Sequence, residues 1–253
     1  MSEAARRARL APRARQALRP PRARHARELA FELPGGGRAL FTTRAAGNLS
    51  TAAGEGHELG AARRDELCER LDLGWLCAGA QLHGDRVHVI DRVEGARGAP
   101  SAVQADARAT ALPGVGAMVL AADCLPVALG GRGGVAMVHA GWRGLAAGAL
   151  ERGVEALREL IGAEEPLAAV VGPAAGLCCY EVGPEVHAAL AGGRPRRHGR
   201  RIDLRAIAQQ RLQAAGVARV QHLDACTICD GRFFSHRREG ERAGRHAGIA
   251  WLS

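Results

Sequence analysis

The chain has 253 residues and is 47% apolar, so it is long and apolar enough to form one large domain with a sizeable core. It contains no run of about 18 apolar residues, which excludes a conventional membrane-spanning helix. The net charge of +9 suggests a nucleic-acid partner only until the charge is located: residues 1–28 hold nine arginines against two glutamates, which leaves +2 for the rest.

An arginine-rich head, residues 1–28, precedes a predicted single catalytic domain at 29–253. The head lacks the apolar core of a secretory signal, and its composition favours disorder. The alternative is an arm that binds nucleic-acid phosphates in a salt-sensitive way, but we do not expect nucleic acid as a partner of the domain. Seven cysteines, an odd number, with no secretory signal predict reduced thiols and a cytoplasmic protein.

The first predicted elements are a β-hairpin and a helix. The segments LAFEL and ALFTTR flank a turn at 34–37, and leucines at 59, 67 and 71 predict an amphipathic helix over 58–71. Between them, FTTRAAGNLS is either an ordinary surface turn or an anion-binding loop, with donors at Thr43, Arg44, Asn48 and Ser50. The small and polar segment 94–116 predicts a long loop, in which Asp106 and Thr110 stand out little.

The centre of the chain carries the candidate chemistry. Two apolar strands, 117–122 and 134–138, lead to Cys124 and His139, and we expect turns to follow at Leu125-Pro126 and at Gly141. His83 precedes a third strand-like run. Zinc favours such mixed thiolate and imidazole ligands, and three protein ligands leave a place for water or substrate. The alternative is that Cys124 and His139 are ordinary packing residues, against which the charged neighbour Asp123 argues.

Strands and helices alternate in the second half of the chain, which predicts an α/β protein. Leu150, Val154, Leu157 and Ile161 follow helical spacing, so a helix runs from the HAGWRG turn to Gly162 and places Arg143 near a helix N-terminus, where it binds an anion or pairs with an acid. The remaining predicted elements are a strand at 167–171, a helix from Pro184 ending before Gly192, a helix from the N-cap Asp203 to Gly216, a strand at VQHLDACT and a final strand.

Two other metal motifs find little support in the sequence. CTIC at 226–229 has the C-x2-C spacing of a structural zinc site, but a second half is missing unless Cys178 and Cys179 supply it. None of the ten histidines forms a His-x-His pair of the kind that a trinuclear copper cluster requires, which argues against true laccase chemistry.

Five segments together resemble the YfiH/YlmD family, also labelled polyphenol oxidase or laccase domain. The similarity runs from about Leu40 to Leu252, and HAGWRG with the ADC-x-P segment is its most specific part. The matching segments are QLHG at 81–84, AADCLPV at 121–127, HAGWRG at 139–144, GPAAGLCCYEVG at 172–183, and FFSHRR with AGR at 233–245.

The resemblance implies a four-layer α/β/β/α fold with mixed sheets, built by duplication of a β-α-β-β unit and related to the catalytic domain of cytotoxic necrotizing factor. It also implies a zinc ion on His83, Cys124 and His139, with copper as an alternative metal, and phosphorolysis of adenosine, inosine and methylthioadenosine with deamination of adenosine. Arg44 falls in the family's FTTR motif, but the loop after it is shortened here, and the head has no counterpart.

The hypothesis that follows assigns roles by residue. His83, Cys124, His139 and Asp123 are the predicted catalytic residues, with Asp123 and Gln81 orienting the ligands; Arg44, Arg143, Gln81 and Ser50 form the predicted substrate and phosphate site. The partners are then small molecules, purine nucleosides and phosphate, and the sequence leaves the oligomeric state open with a monomer favoured. Two competing classes are a hydrolase or amidase with Cys124 as nucleophile and His139 as base, and a non-enzymatic nucleic-acid-binding protein that uses the head.

Overall fold

The structure, a computed structural model, describes residues 28–190 and 197–253. The arginine-rich head up to residue 27 and the predicted helix end at Gly192 lie outside these ranges. The strands of the described ranges are β1 (Glu28–Glu32), β2 (Gly37–Thr42), β3 (Trp75–Cys77), β4 (Val87–Ile90), β5 (Ala107–Thr110), β6 (Val115–Ala121), β7 (Leu125–Gly131), β8 (Gly134–Ala140), β9 (Ala168–Val171), β10 (Arg197–His198), β11 (Arg201–Ile202), β12 (Arg219–His222) and β13 (His246–Leu252). The helices are α1 (Gly60–Leu71), α2 (Trp142–Ala147), α3 (Ala149–Ile161), α4 (Pro184–Ala189), α5 (Leu204–Ala214) and α6 (His236–Glu239).

Two mixed sheets form the centre of the molecule. The first has the strand order β1-β2-β13-β6-β3, and the second has the order β12-β9-β7-β8-β5-β4. Most neighbours are antiparallel, whereas β3 with β6, β9 with β12 and β4 with β5 are parallel. The strands β6, β7 and β8 follow one another in the chain but divide between the sheets, since β6 belongs to the first and β7 and β8 to the second. The loop between β6 and β7 therefore crosses from one sheet to the other.

The sheets pack face to face, and helices cover their outer faces. Phe41 and Val119 of the first sheet share an apolar core with Met137 of the second, and all three are fully buried. The outer face of the first sheet is covered by α1, while α3 and α5 cover the second. Each fully buried leucine or valine contributes about 1.5–3 kcal/mol relative to an exposed one. The predicted four-layer α/β/β/α architecture is confirmed.

Several predicted elements are confirmed at the level of single contacts. The strands β1 and β2 form the expected antiparallel hairpin, with Glu28 opposite Thr42. The N-cap of α5 is Asp203, whose carboxylate accepts a hydrogen bond of 3.1 Å from the backbone N–H of Ala206. On α3 the predicted stripe is the buried face, with Leu150 and Leu157 fully covered. No helix within 28–190 or 197–253 combines the length and apolar character needed to cross a bilayer.

Three predictions of local structure are wrong. The segment 94–116 is not all loop, because β5 lies inside it between β4 and β8. Leu125-Pro126 does not form a turn but begins β7; the chain turns two residues before Leu125, at Asp123, whose φ is +93°. The helix after HAGWRG is two helices, since Gly148 has a φ of +92° and ends α2 before α3 starts. A local pattern does not reveal a kink that one glycine creates.

Candidate active site

Three side chains from separate parts of the chain meet at one end of the second sheet. His83 lies in the loop before β4, Cys124 in the loop that crosses between the sheets, and His139 near the end of β8. One ligating atom from each lies within 4.8 Å of the other two. The imidazole rings of His83 and His139 meet edge to face, with their centroids 4.9 Å apart. Two imidazoles and a thiol at this separation can bind one cation.

Asp106 fixes the orientation of this group. Its Oδ1 lies 2.9 Å from Nδ1 of His139, and the side chains of both residues are almost completely buried. The same carboxylate accepts backbone hydrogen bonds of 2.9–3.0 Å from Leu82, His83 and Gly84. Because Asp106 engages Nδ1, the other ring nitrogen of His139 is the one that faces Cys124 and His83. A carboxylate behind a ligating imidazole is the usual arrangement at metal sites.

No sequence signal indicates this role, because Asp106 lies in a segment that the sequence predicts to be a loop. In the structure it immediately precedes β5, next to β8, which brings it behind His139. Burial raises the pKa of Asp106, but the hydrogen bonds from His139 and from the backbone of Gly84 and Leu82 outweigh it, so the pKa lies below its usual value. Asp106 is therefore a carboxylate in the folded protein.

The two neighbouring imidazoles favour the negatively charged thiolate of Cys124. Desolvation raises the pKa of the thiol, but the imidazoles of His139 and His83 outweigh it and lower the pKa to about 6. Desolvation in turn lowers the pKa of His139, while Cys124 and Asp106 raise it to about 9. The two residues thus stabilise each other as thiolate and imidazolium in the absence of a cation. A thiolate is the form of cysteine that binds metal or attacks a substrate.

The backbone around the site adopts conformations that side-chain-bearing residues rarely use. His83 has a φ of +60° and Asp123 has a φ of +93°. Such residues cost about 1–3 kcal/mol each and persist where surrounding contacts hold them. For Asp123 these contacts are the Thr227 hydroxyl, which donates to Oδ1 at 2.6 Å, and the backbone N–H of Arg237, which donates to Oδ2 at 2.7 Å. Asp123 therefore anchors the loop that presents Cys124.

A cavity of about 880 Å³ opens over the three side chains. Its size is within the range of pockets that hold small organic ligands. Aromatic and basic side chains line it near Cys124: Arg143 lies over the Trp142 ring at 4.4 Å, and Arg237 lies over the Tyr180 ring at 5.2 Å. Burial and the nearby Cys124 raise the pKa of Tyr180 to about 12, so its hydroxyl stays protonated. The cavity offers cations and a hydroxyl donor to an anionic ligand.

The predicted substrate residues divide between cavity wall and surrounding structure. Arg143, Gln81 and Ser50 line the cavity. The Gln81 side chain makes two hydrogen bonds with the backbone of Leu120, at 2.7 and 2.8 Å, and so holds the end of β6. Arg44 is not part of the lining; its guanidinium pairs with Glu239 and donates to the Phe233 carbonyl at 3.2 Å.

Four residues that the sequence did not single out contribute to the cavity: Arg64, Tyr180, Arg237 and Arg245. Within the described residues, Nη1 of Arg64 is buried and lacks a hydrogen-bond partner. Burial lowers the pKa of Arg64 to about 10, so it remains a cation near neutrality. The HRR of FFSHRR was a visible signal for Arg237, but nothing in one sequence indicates which arginine of an arginine-rich chain faces a cavity.

Known proteins resemble this chain along most of its length. Residues 36–253 match the family described as multi-copper polyphenol oxidoreductase laccase. A relative from Xylella fastidiosa (strain Temecula1), named purine nucleoside phosphorylase, is 40% identical over 237 residues, which cover 87% of this chain and 88% of the relative. Purine nucleoside phosphorylase YfiH of Escherichia coli (strain K12) is 39% identical over 160 residues, 59% of this chain and 64% of the relative.

Solved structures share the fold. YfiH of Bacillus licheniformis superposes with a TM-score of 0.78 at 26% identity and covers 89% of this chain and 96% of its own. YlmD of Geobacillus stearothermophilus superposes with a TM-score of 0.77 at 27% identity and covers 90% and 96%. The predicted resemblance to YfiH and YlmD is confirmed by these matches.

Proposed function

Because this chain belongs to the family of multi-copper polyphenol oxidoreductase laccases, and relatives of it are named purine nucleoside phosphorylases, we propose that it is a metal-dependent purine nucleoside phosphorylase. The observation that carries the proposal is the convergence of His83, Cys124 and His139 at the base of one cavity. Its substrates are adenosine, inosine and methylthioadenosine, together with inorganic phosphate. Deamination of adenosine is a second activity of the same cavity.

The donor set fits zinc. A thiolate and two imidazoles are ligands that zinc prefers, and three protein ligands are typical of catalytic rather than structural zinc sites. His139 is already oriented by Asp106, and His83 is exposed to the cavity, as a ligand beside an open coordination position must be. When bound, zinc supplies a Lewis acid that withdraws charge from a substrate oxygen or acidifies a water molecule.

The chain's own residues then bind and orient the substrates. Arg143 and Arg237 provide guanidinium groups for phosphate, and both lie close enough to the Tyr180 hydroxyl for their charge to act against the rise in its pKa. A phosphate oxygen forms a bond to the anomeric carbon of ribose while the bond to the purine nitrogen breaks. The electron pair of that bond stays on the purine nitrogen, which takes up a proton. Holding both substrates in one cavity is itself a large part of the rate enhancement.

The proposal gives Asp123 and Arg44 supporting roles. Both carboxylate oxygens of Asp123 already accept hydrogen bonds, so this residue positions Cys124 and does not transfer a proton. Arg44 holds Glu239 and the Phe233 carbonyl at the edge of the segment that carries Arg237. Ser50 and Gln81 shape the opposite wall.

The test is product analysis with a defined metal content. The purified protein is incubated with inosine or adenosine, with and without phosphate, and the products are identified by mass. We expect ribose 1-phosphate and free purine only when phosphate is present. From adenosine we also expect inosine and ammonia, with or without phosphate. Free ribose formed equally well without phosphate would identify a hydrolase and contradict the proposal.

A hydrolase or amidase is the second candidate, and one observation favours it. Cys124 would be the nucleophile, His139 beside it the base, and Asp106 behind His139 the carboxylate that orients the base. The pKa of Cys124 is lowered to about 6, which favours the nucleophilic thiolate. The second imidazole, His83, has no part in such a triad but is required by a metal site. A protein that stays active after complete metal removal and is inactivated by alkylation of Cys124 would establish the hydrolase.

A copper-dependent polyphenol oxidase is the candidate that the family description suggests. In 28–190 and 197–253, the groups of three or more potential metal ligands are the site above and a cluster of four cysteines, and neither has the several histidines of a trinuclear copper centre. Loading the protein with copper and measuring oxidation of a phenol tests this candidate. Oxidation that exceeds nucleoside phosphorolysis would favour it.

A further inference from the structure

Two pairs of cysteines that are far apart in the sequence lie together outside the cavity lining. Cys178 and Cys179 belong to the loop after β9, and Cys226 and Cys229 belong to the loop after β12. Their sulfur atoms lie within 4.8 Å of one another. None of the four lines the cavity, and none is among the residues that converge at Cys124. The sequence offered a second half for CTIC only if Cys178 and Cys179 supplied it, and the structure places these two residues beside it.

The backbone brings the two loops together in register. Ala174 and Cys226 form a parallel β-bridge, and the backbone N–H of Thr227 donates to the Ala174 carbonyl at 3.1 Å. Arg205 from α5 joins the same loops by donating to the carbonyls of Ala174, at 3.2 Å, and Ala225, at 2.8 Å. The cysteines are thus presented by a scaffold of hydrogen bonds that is independent of any bond between sulfur atoms.

The sulfur geometry suits a single ion. The Sγ atoms of Cys178 and Cys229 are 3.8 Å apart, far beyond the length of a disulfide bond. A tetrahedral zinc ion with bonds of about 2.3 Å holds its sulfur ligands about 3.8 Å apart. The backbone N–H of Gly176 also donates to Sγ of Cys226 at 3.2 Å, a contact that stabilises a negative thiolate. All four cysteines are free thiols.

From this arrangement we propose that Cys178, Cys179, Cys226 and Cys229 bind one structural zinc ion, separate from the ion at the cavity. Four protein ligands leave no position for substrate, so this ion has no catalytic part. Binding releases the protons of the thiols and joins the loop after β9 to the loop after β12.

The joined loops both contact Asp123. The backbone N–H of Ala175 donates to the Asp123 carbonyl at 2.9 Å, and the Thr227 hydroxyl donates to its carboxylate at 2.6 Å. Ala175 and Thr227 are each within three residues of a cysteine of the cluster. The structural zinc therefore stabilises the backbone conformation that presents Cys124, although it does not touch the cavity.

The test measures zinc per chain in the full-length protein, purified in zinc-containing reducing buffer and then desalted. The double variant Cys226→Ser/Cys229→Ser should retain one zinc ion fewer than the wild type. Cys124→Ala should lose the other ion, and Cys68→Ala, which removes a buried cysteine outside both groups, should lose none. Because each group is removed separately, failure of the four-cysteine site and failure of the proposed cavity site give different results.

A measurement on the wild type covers the case in which the double variant does not fold. X-ray absorption at the zinc edge should show a population of zinc with four sulfur ligands at about 2.3 Å. Equal zinc content in the wild type and the double variant would overturn the proposal. So would the absence of a four-sulfur signal, iron in place of zinc, or a mass for the unreduced protein that is lower by two hydrogen atoms for each disulfide among these cysteines.

Discussion

Replacement of Asp106 by asparagine is the most informative single change at the cavity. The carboxylate accepts four hydrogen bonds, two at each oxygen: Oδ1 from His83 and His139, and Oδ2 from Leu82 and Gly84. An asparagine side chain has one acceptor oxygen and one NH₂ group. Whichever way the amide turns, two of the four N–H donors face a donor instead of an acceptor.

The expected cost follows from those lost contacts. A buried donor without an acceptor costs about 1–3 kcal/mol, so two of them give an upper limit of about 6 kcal/mol. Leu82 and Gly84 lie in a loop that is partly open to water, which replaces some of the loss, so we expect Asp106→Asn to reduce the free energy of unfolding by about 2–3 kcal/mol. Zinc affinity should fall by about 10–100-fold, because a neutral amide oxygen holds His139 more weakly than a carboxylate does, and an NH₂ group facing the ring does not hold it at all.

Urea unfolding of the metal-free protein and competition with a chelator measure these two effects separately. The matched control is Asp85→Asn, which removes the same charge from the loop that holds Leu82 and Gly84 but does not take part in the hydrogen bonds to Asp106. The control should change the free energy of unfolding by less than about 0.5 kcal/mol. If Asp106→Asn binds zinc as tightly as the wild type, or if both variants lose the same stability, the orienting role is wrong.

Three further predictions concern the pH dependence of stability, the space around the thiol and the phosphate site. Burial lowers the pKa of His246 to about 3, so the folded protein favours the neutral imidazole. The resulting contribution to the free energy of unfolding is complete above the pKa of about 6.5 that His246 has in the unfolded chain, and it is lost as the pH falls below 6.5. Between pH 7 and 5 the wild type should therefore lose about 2 kcal/mol more of its free energy of unfolding than His246→Phe, as measured by urea unfolding at both pH values, and an equal loss would contradict this origin. A Cβ on Gly141 would lie 2.7 Å from Sγ of Cys124, whereas a Cβ on Gly84 would meet its nearest neighbour at an ordinary 3.8 Å. Gly141→Ala should therefore weaken zinc binding about tenfold or more in the same chelator assay, and Gly84→Ala should leave zinc binding nearly unchanged. Arg143→Met should raise the KM for phosphate by about tenfold or more with little change in the KM for inosine. A change in the KM for inosine alone would show that Arg143 does not bind phosphate.

Local pattern was sufficient to predict most of the elements and two of the three side chains that converge at the cavity. Strand length, glycine boundaries and a reactive residue at the end of each strand identified Cys124 and His139, because a strand that leads to a loop places its last side chain at the edge of a sheet. Periodicity identified α1, α3 and α5 for the same local reason. The family segments added His83, which had only a weak signal of its own.

Contacts between distant segments decided the rest. Asp106 became part of the site only because β5 pairs with β8, and Cys178 met Cys226 only because their loops lie side by side after β9 and β12. Arg44, a predicted phosphate-binding residue, pairs with Glu239, nearly two hundred residues later in the chain, and does not line the cavity. A single sequence reports which side chains share a helix face or a strand edge, since backbone geometry fixes those, but the partners of a loop depend on packing between elements that no local spacing encodes.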